Sequence, residues 1–209
     1  MGVRRTGRVA AITNYRDPRL LKPHAPSRGR LVSSFLAGSA SAKEYLREIR
    51  KKALDYNGFS LLLGEPDNLF CFSSITGETI HIEPGIHGLS NHFLNTPWPK
   101  VQRGRERLGA ILEQGGHPSP DALLDLLADR EHPRDELLPN TGVDVEWERL
   151  LSPVFIASPF YGTCSSTVLL VHRSGAVTFA ERDCRPGPTE GREVRFQFLI
   201  EKQQETFRD

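Results

Sequence analysis

The sequence predicts an α+β fold, in the form of an αββα sandwich: two antiparallel sheets packed face to face with helices outside. Three observations lead there. Eight short apolar runs are bounded by turn-forming Gly, Pro, Asn or Asp, which is the pattern of strands. Strands and helices come in blocks rather than in alternation, which argues against a parallel βαβ sheet. Many of the strands are apolar on both faces, and stacking two sheets under outer helices buries both.

The elements follow in order. Val9-Ala10-Ala11-Ile12 is the centre of a strand from Arg8 to Thr13. It leaves through Asn14-Tyr15-Arg16-Asp17-Pro18, where the proline turns the residue before it away from helix. Leu20 to Arg30 is rich in Pro, Arg and Ser and reads as a surface loop, and Ser33-Ser34-Phe35-Leu36 is too short to assign. Ser41-Ala42-Lys43-Glu44 is a capping box, and Ala42, Tyr45, Leu46, Ile49, Ala53 and Leu54 follow at helical spacing until Asn57-Gly58. Phe59–Leu63, Leu69–Ser73, Thr79–Ile82 and Ile86–Ser90 read as a four-strand meander, with turn signals at 64–68, 76–78 and 83–85. Pro99 to Gln114 is a helix, with proline in its first turn and Gly115-Gly116 beyond its end. A helix starts at Ser119-Pro120, and Glu146–Leu151 adds a helical turn. Ser165–Val171, Ala176–Glu181 and Val194–Ile200 are three closing strands, the first two joined by a hairpin turn at His172-Arg173-Ser174-Gly175.

Composition narrows the function classes. At 209 residues the chain suits a single domain, 1–209, and 38% hydrophobic residues are enough for a core. No apolar run reaches the ~18 residues of a membrane helix. A net charge of +1 argues against a dedicated nucleic-acid binder, and the eight basic residues from Arg4 to Arg30 read as a solvated surface. Three cysteines without C-x-x-C spacing indicate neither a zinc site nor a disulfide framework, so a reducing, cytoplasmic home is the default. The scattered histidines give no metal site; His81 and His87 flank one turn, but two ligands without a third are too few.

The stretch with most chemical content is Gly88-Leu89-Ser90-Asn91-His92, continuing through Thr96-Pro97-Trp98-Pro99-Lys100. Loops leaving a rigid strand aim polar groups into sites. The Asn91 amide is a neutral donor suited to an oxyanion, or else a turn cap. His92 is the histidine best placed for a site, or else a hydrogen-bonded loop residue. Phe59, Phe70, Phe72, Phe93 and Trp98 line an apolar pocket, or else fill the core. Arg16 and Asp17 suggest a local surface ion pair.

Three segments carry a family resemblance: Ala11-Ile12-Thr13-Asn14-Tyr15-Arg16-Asp17-Pro18, the Gly88–Val101 stretch, and Tyr161-Gly162-Thr163-Cys164-Ser165-Ser166-Thr167-Val168. Together they resemble the NRDE family, also called the transport and Golgi organisation protein family. The family's Asn-Arg-Asp-Glu motif and second-position cysteine have no counterpart here, and Met1-Gly2-Val3 is similar to the end of a Trp-Leu-Gly-Val segment. The expectation is an N-terminally shortened form lacking the family's first strands. Exposed sheet edges would then favour self-association into a homo-oligomer.

The family is itself distantly similar to N-terminal-nucleophile hydrolases, whose N-terminal cysteine attacks amides. That resemblance implies Asn14 and Asn91 as oxyanion-type donors and, by a weaker correspondence, Arg103 as a catalytic residue. It implies amide or thioester hydrolysis for the full family form and none for this chain, which has no cysteine to expose at its start. The alternative is a binding or carrier protein for haem or acyl-CoA and lipid-like ligands, with His92 and Trp98 at the ligand.

Overall fold

The computed structural model describes residues 1–201. Strands β1 (Gly2–Val3), β2 (Val9–Asn14), β3 (Phe59–Glu65), β4 (Asn68–Ser73) and β5 (Thr79–His81) form a five-stranded sheet in chain order. Strands β6 (Ser165–Val171), β7 (Ala176–Asp183) and β8 (Glu193–Leu199) form a second sheet, also in chain order. Every pairing is antiparallel. The helices are α1 (Gly29–Ala37), α2 (Ala42–Lys52), α3 (Pro99–Glu113), α4 (Pro120–Leu127) and α5 (Val145–Leu150). The α+β class read from the sequence is therefore the observed one.

Strand alternation decides which face each helix covers. Register puts Ala10 opposite Leu63 and Ile12 opposite Leu61, with Phe72 and Phe70 next across β4. This face packs on α1 and α2, and Phe35, Phe59, Leu61, Leu63 and Phe72 are completely enclosed. Phe59, Phe70 and Phe72 thus belong to the core and not to a pocket. In the second sheet, Val168 and Ala180 pack on Leu124 of α4. The remaining faces oppose each other, and two cavities are lined from both sheets, one by Thr13 and Thr167–Leu170 and another by Val3, Phe179 and Phe196. The layers run helix, sheet, sheet, helix.

The capping box forms as expected. The Ser41 hydroxyl accepts from the Glu44 N–H, and the Glu44 carboxylate accepts from the Ser41 N–H at 2.9 Å. The helix ends earlier than the apolar spacing suggests. Ala53–Asp55 tightens into a 3-10 turn and leaves Leu54 exposed.

Two expectations are corrected. The stretch 29–37, not assigned or read as loop, is the helix α1. Its first turn has no side-chain cap, so the usual start signal is absent, and burial of Leu31, Val32 and Phe35 on the first sheet holds it. Ile86–Ser90 is not a fourth strand of the meander. The chain leaves β5 and crosses toward the second sheet, where Asn95 N–H donates to Gly88 O at 2.7 Å and the Asn95 side chain accepts from Gly88 N–H. Local turn bonds replace a ladder.

Candidate functional site

The 86–98 segment is held tightly against α3. A Cβ on Gly88 would lie 2.6 Å from a methyl of Val101, so only glycine lets the segment approach this closely. The segment is tied to the β2 exit at two points. Arg16 N–H donates to Asn91 O at 2.8 Å, and the Asn91 amide donates to Asn14 O at 3.1 Å.

This brings Asn91 to Asn14, through the backbone carbonyl of Asn14. The Asn91 side-chain oxygen accepts from Arg16 at 3.4 Å. Asn91 lines a cavity of about 760 Å³ as well as a smaller one beside Asn14, Arg16 and Tyr161. His92 is placed as a hydrogen-bonded loop residue, the second of its two readings. One ring nitrogen bonds the Tyr15 hydroxyl and the other the Thr96 hydroxyl, both at 2.9 Å, and the ring stacks on Tyr15. Burial pushes its pKa down, and neither nitrogen is left for a haem iron. Trp98 is buried with its ring under the Arg16 guanidinium, 5.0 Å from the centroid. Both residues stand behind the site and do not line the large cavity. Arg103 points elsewhere: it pairs with Asp129 and Glu131.

The charged centre comprises three residues. Arg16 pairs with Glu148 of α5 at 2.9 Å, both nearly buried. The other Glu148 oxygen accepts from the N–H and hydroxyl of Thr141, each at 2.6 Å. Asp17 turns the opposite way and pairs with Arg19, so the local Arg16–Asp17 pair does not form. Lys100, in the first turn of α3, donates to Leu151 O at 2.7 Å and lines the cavity. It makes no ion pair within 4.0 Å among the described residues. Burial, with Arg16 adding to it against Glu148, pushes the Lys100 pKa down to about 8.

The cavity measures about 760 Å³, within the range of small-molecule sites. Its walls are Leu108 and Leu112 of α3, Leu123, Leu126 and Leu127 of α4, Ile156, and Leu169 of β6. Asn91 and Lys100 are polar groups among them, with the exposed Arg105 also on the lining. The cysteines lie elsewhere: Cys71 is buried in β4, its thiol pushed up to about 11, and neither Cys164 nor Cys184 lines the cavity. Among the described residues no group of three or more His, Cys, Asp or Glu is placed to hold a metal. No helix of the described chain is long and apolar enough to cross a membrane.

Lys100 has a measurable consequence. The unfolded chain keeps this proton to about pH 10.4, while the folded chain releases it near 8. Between those values unfolding takes up a proton, so the fold gains stability as pH rises, and the gain is absent below pH 8. Wild type should therefore gain about 2 kcal/mol on Lys100→Met between pH 7 and pH 9.5 in urea denaturation. A constant difference between the two would place the amine in water.

Arg16, Lys100 and Glu148 were not legible as a centre, because 132 positions separate Arg16 from Glu148. One signal was present. A lysine in the first turn of a helix opposes the macrodipole, and such a misplaced cation marks a position held for another purpose.

Comparison with known proteins agrees with the resemblance. A family model described as Transport and Golgi organisation 2 matches residues 1–186. The chain is 33% identical over 195 residues to the Transport and Golgi organization protein 2 homolog of Bos taurus, covering 87% of this chain and 70% of that one. The Mus musculus and Homo sapiens homologues are each 31% identical over the same shares. The chain belongs to the Transport and Golgi organisation 2 family.

Proposed function

We propose that this chain binds a small amphipathic molecule, an acyl or lipid-like compound, in the leucine-lined cavity between the sheets. The observation that carries the reading is the pairing of an apolar cavity of about 760 Å³ with the polar side chains of Asn91 and Lys100. Apolar walls hold the hydrocarbon by its removal from water, and the few polar groups fix its orientation. Three free cysteines are in keeping with a reducing compartment. A hydrolytic role would rest on the Asn91 amide as oxyanion donor, but it lacks a cysteine nucleophile on this cavity among the described residues.

Calorimetric titration with octyl to dodecyl compounds bearing alcohol, methyl ester or carboxylate heads tests the proposal. Affinity should rise with chain length whatever the head, by about threefold to fourfold per methylene. Leu169→Trp, which fills the cavity from β6, should weaken all of them by at least about tenfold. Equal affinity for octyl and dodecyl chains, or no saturable binding in any series, would refute the reading.

A further inference from the structure

The charge in the centre is unbalanced. Arg16 and Lys100 bring two cations, and Glu148 brings one carboxylate whose oxygens are already taken by Arg16 and Thr141. An ammonium removed from water without a counter-ion is costly. The N-terminus of α3 adds to the cost, because its dipole is positive where Lys100 sits. One anion on the cavity side would balance the three charges.

We propose that the ligand is a carboxylic acid, bound with its carboxylate on Lys100 and its hydrocarbon between α3, α4 and β6. The inference rests on the small-molecule reading of the same cavity and adds the chemical class of the head. Lys100 Nζ has three hydrogens, and the carbonyl of Leu151 accepts one of them, so donors remain for an incoming oxygen. The second hydrogen on the Asn91 side-chain nitrogen is also available, since only one goes to Asn14 O. Asn91 and Lys100 line the same cavity, and a carboxylate on the ammonium makes a charge-assisted hydrogen bond. Away from Lys100 the charged side chain on the lining is the exposed Arg105, and the leucines of α3, α4 and β6 leave the rest for hydrocarbon.

The charged groups that face Lys100 are Arg16 from the β2 exit and Glu148 from α5. A bound carboxylate should hold the lysine proton more firmly, and the amine near pH 8 in the free protein should titrate higher in the complex. Binding of the acid then weakens as pH rises from 8 to 10, while binding of the alcohol stays level.

The test compares dodecanoate with dodecanol on the wild-type protein and on Lys100→Met, which keeps side-chain length and removes the charge. The expected result is at least about a tenfold preference for the acid in the wild type, falling to about equal affinity in Lys100→Met. Arg105→Gln is the companion variant, because Arg105 is an exposed cation on the same lining. It should keep the preference. Thermal melting of Lys100→Met, expected at or above the wild-type midpoint, shows that the variant is folded. If acid and alcohol bind equally to the wild type, the carboxylate inference fails while the small-molecule reading stands. If the preference survives Lys100→Met and disappears in Arg105→Gln, the head sits at the mouth and the inference is overturned. If neither compound binds, the small-molecule reading fails with it.

Discussion

Glu148→Ala should cost about 3–5 kcal/mol, close to the whole stability of a small domain. Glu148 is 4% exposed at its side chain and is the carboxylate within ion-pair distance of Arg16 among the described residues. Removing it leaves the Arg16 guanidinium enclosed over the Trp98 ring with Lys100 close by. It also removes the one oxygen that accepts from both the N–H and the hydroxyl of Thr141, which is itself buried. Breaking one side of a buried pair is much worse than replacing both sides, since the surviving charge stays dehydrated. Glu148→Gln should fall between, because its amide oxygen still serves Thr141. Urea denaturation measures both. A loss below about 1 kcal/mol for the alanine variant would mean that Arg16 reaches water and that the centre is not enclosed.

The second large effect is expected at Phe35. Its side chain has no exposed surface, and it joins α1 to the first sheet. The Arg8 guanidinium stacks 4.0 Å from its ring centroid, and the Tyr45 ring lies 5.3 Å away. Phe35→Ala should cost about 3–5 kcal/mol from lost transfer energy plus the cavity left behind. Phe35→Leu should cost clearly less, since it retains most of the volume. The effect should appear as a lower denaturation midpoint with an unchanged slope. A small loss would show that α1 can settle onto β2 without its anchor.

Phe35 also shows where sequence reading reached its limit. α2 was legible because Ser41 and Glu44 announce its start with side chains that make the first bonds. α1 has Arg28 at its N-cap and no side-chain bond there, so nothing local marks it. Tertiary burial alone makes it a helix. Strands β2 to β8 were readable from their apolar runs and turns. The 86–90 run carried the same signal without becoming a strand, because apolar character reports burial and not hydrogen-bond partners.

The site divides in the same way. Asn91 was readable as a polar residue after an apolar run, and it does lie at the cavity. His92 and Trp98 carried the same kind of signal but serve as the packing behind it. In an aromatic-rich loop, spacing does not tell which ring faces inward. Glu148 was invisible, since nothing in Val145–Leu150 separates the one buried acid from its exposed neighbour Glu146. Arg103 has the right chemistry on the right helix, but its azimuth takes it to Asp129.

The apolar interior is divided. One large cluster belongs to the first sheet with α1 and α2, and a small one, built on Leu124, Val168 and Ala180, belongs to the second. Cooperative unfolding depends on contacts shared between units, and a partition of this kind allows one unit to open while the other stays closed. Amide protons of β3 and β4 should then outlast those of β6 and β7 in deuterated solvent. The cavity lies on the seam between the two units. A guest seated there touches Thr13 on one side and Leu169 on the other, so occupancy would tie the opening of one sheet to that of the other.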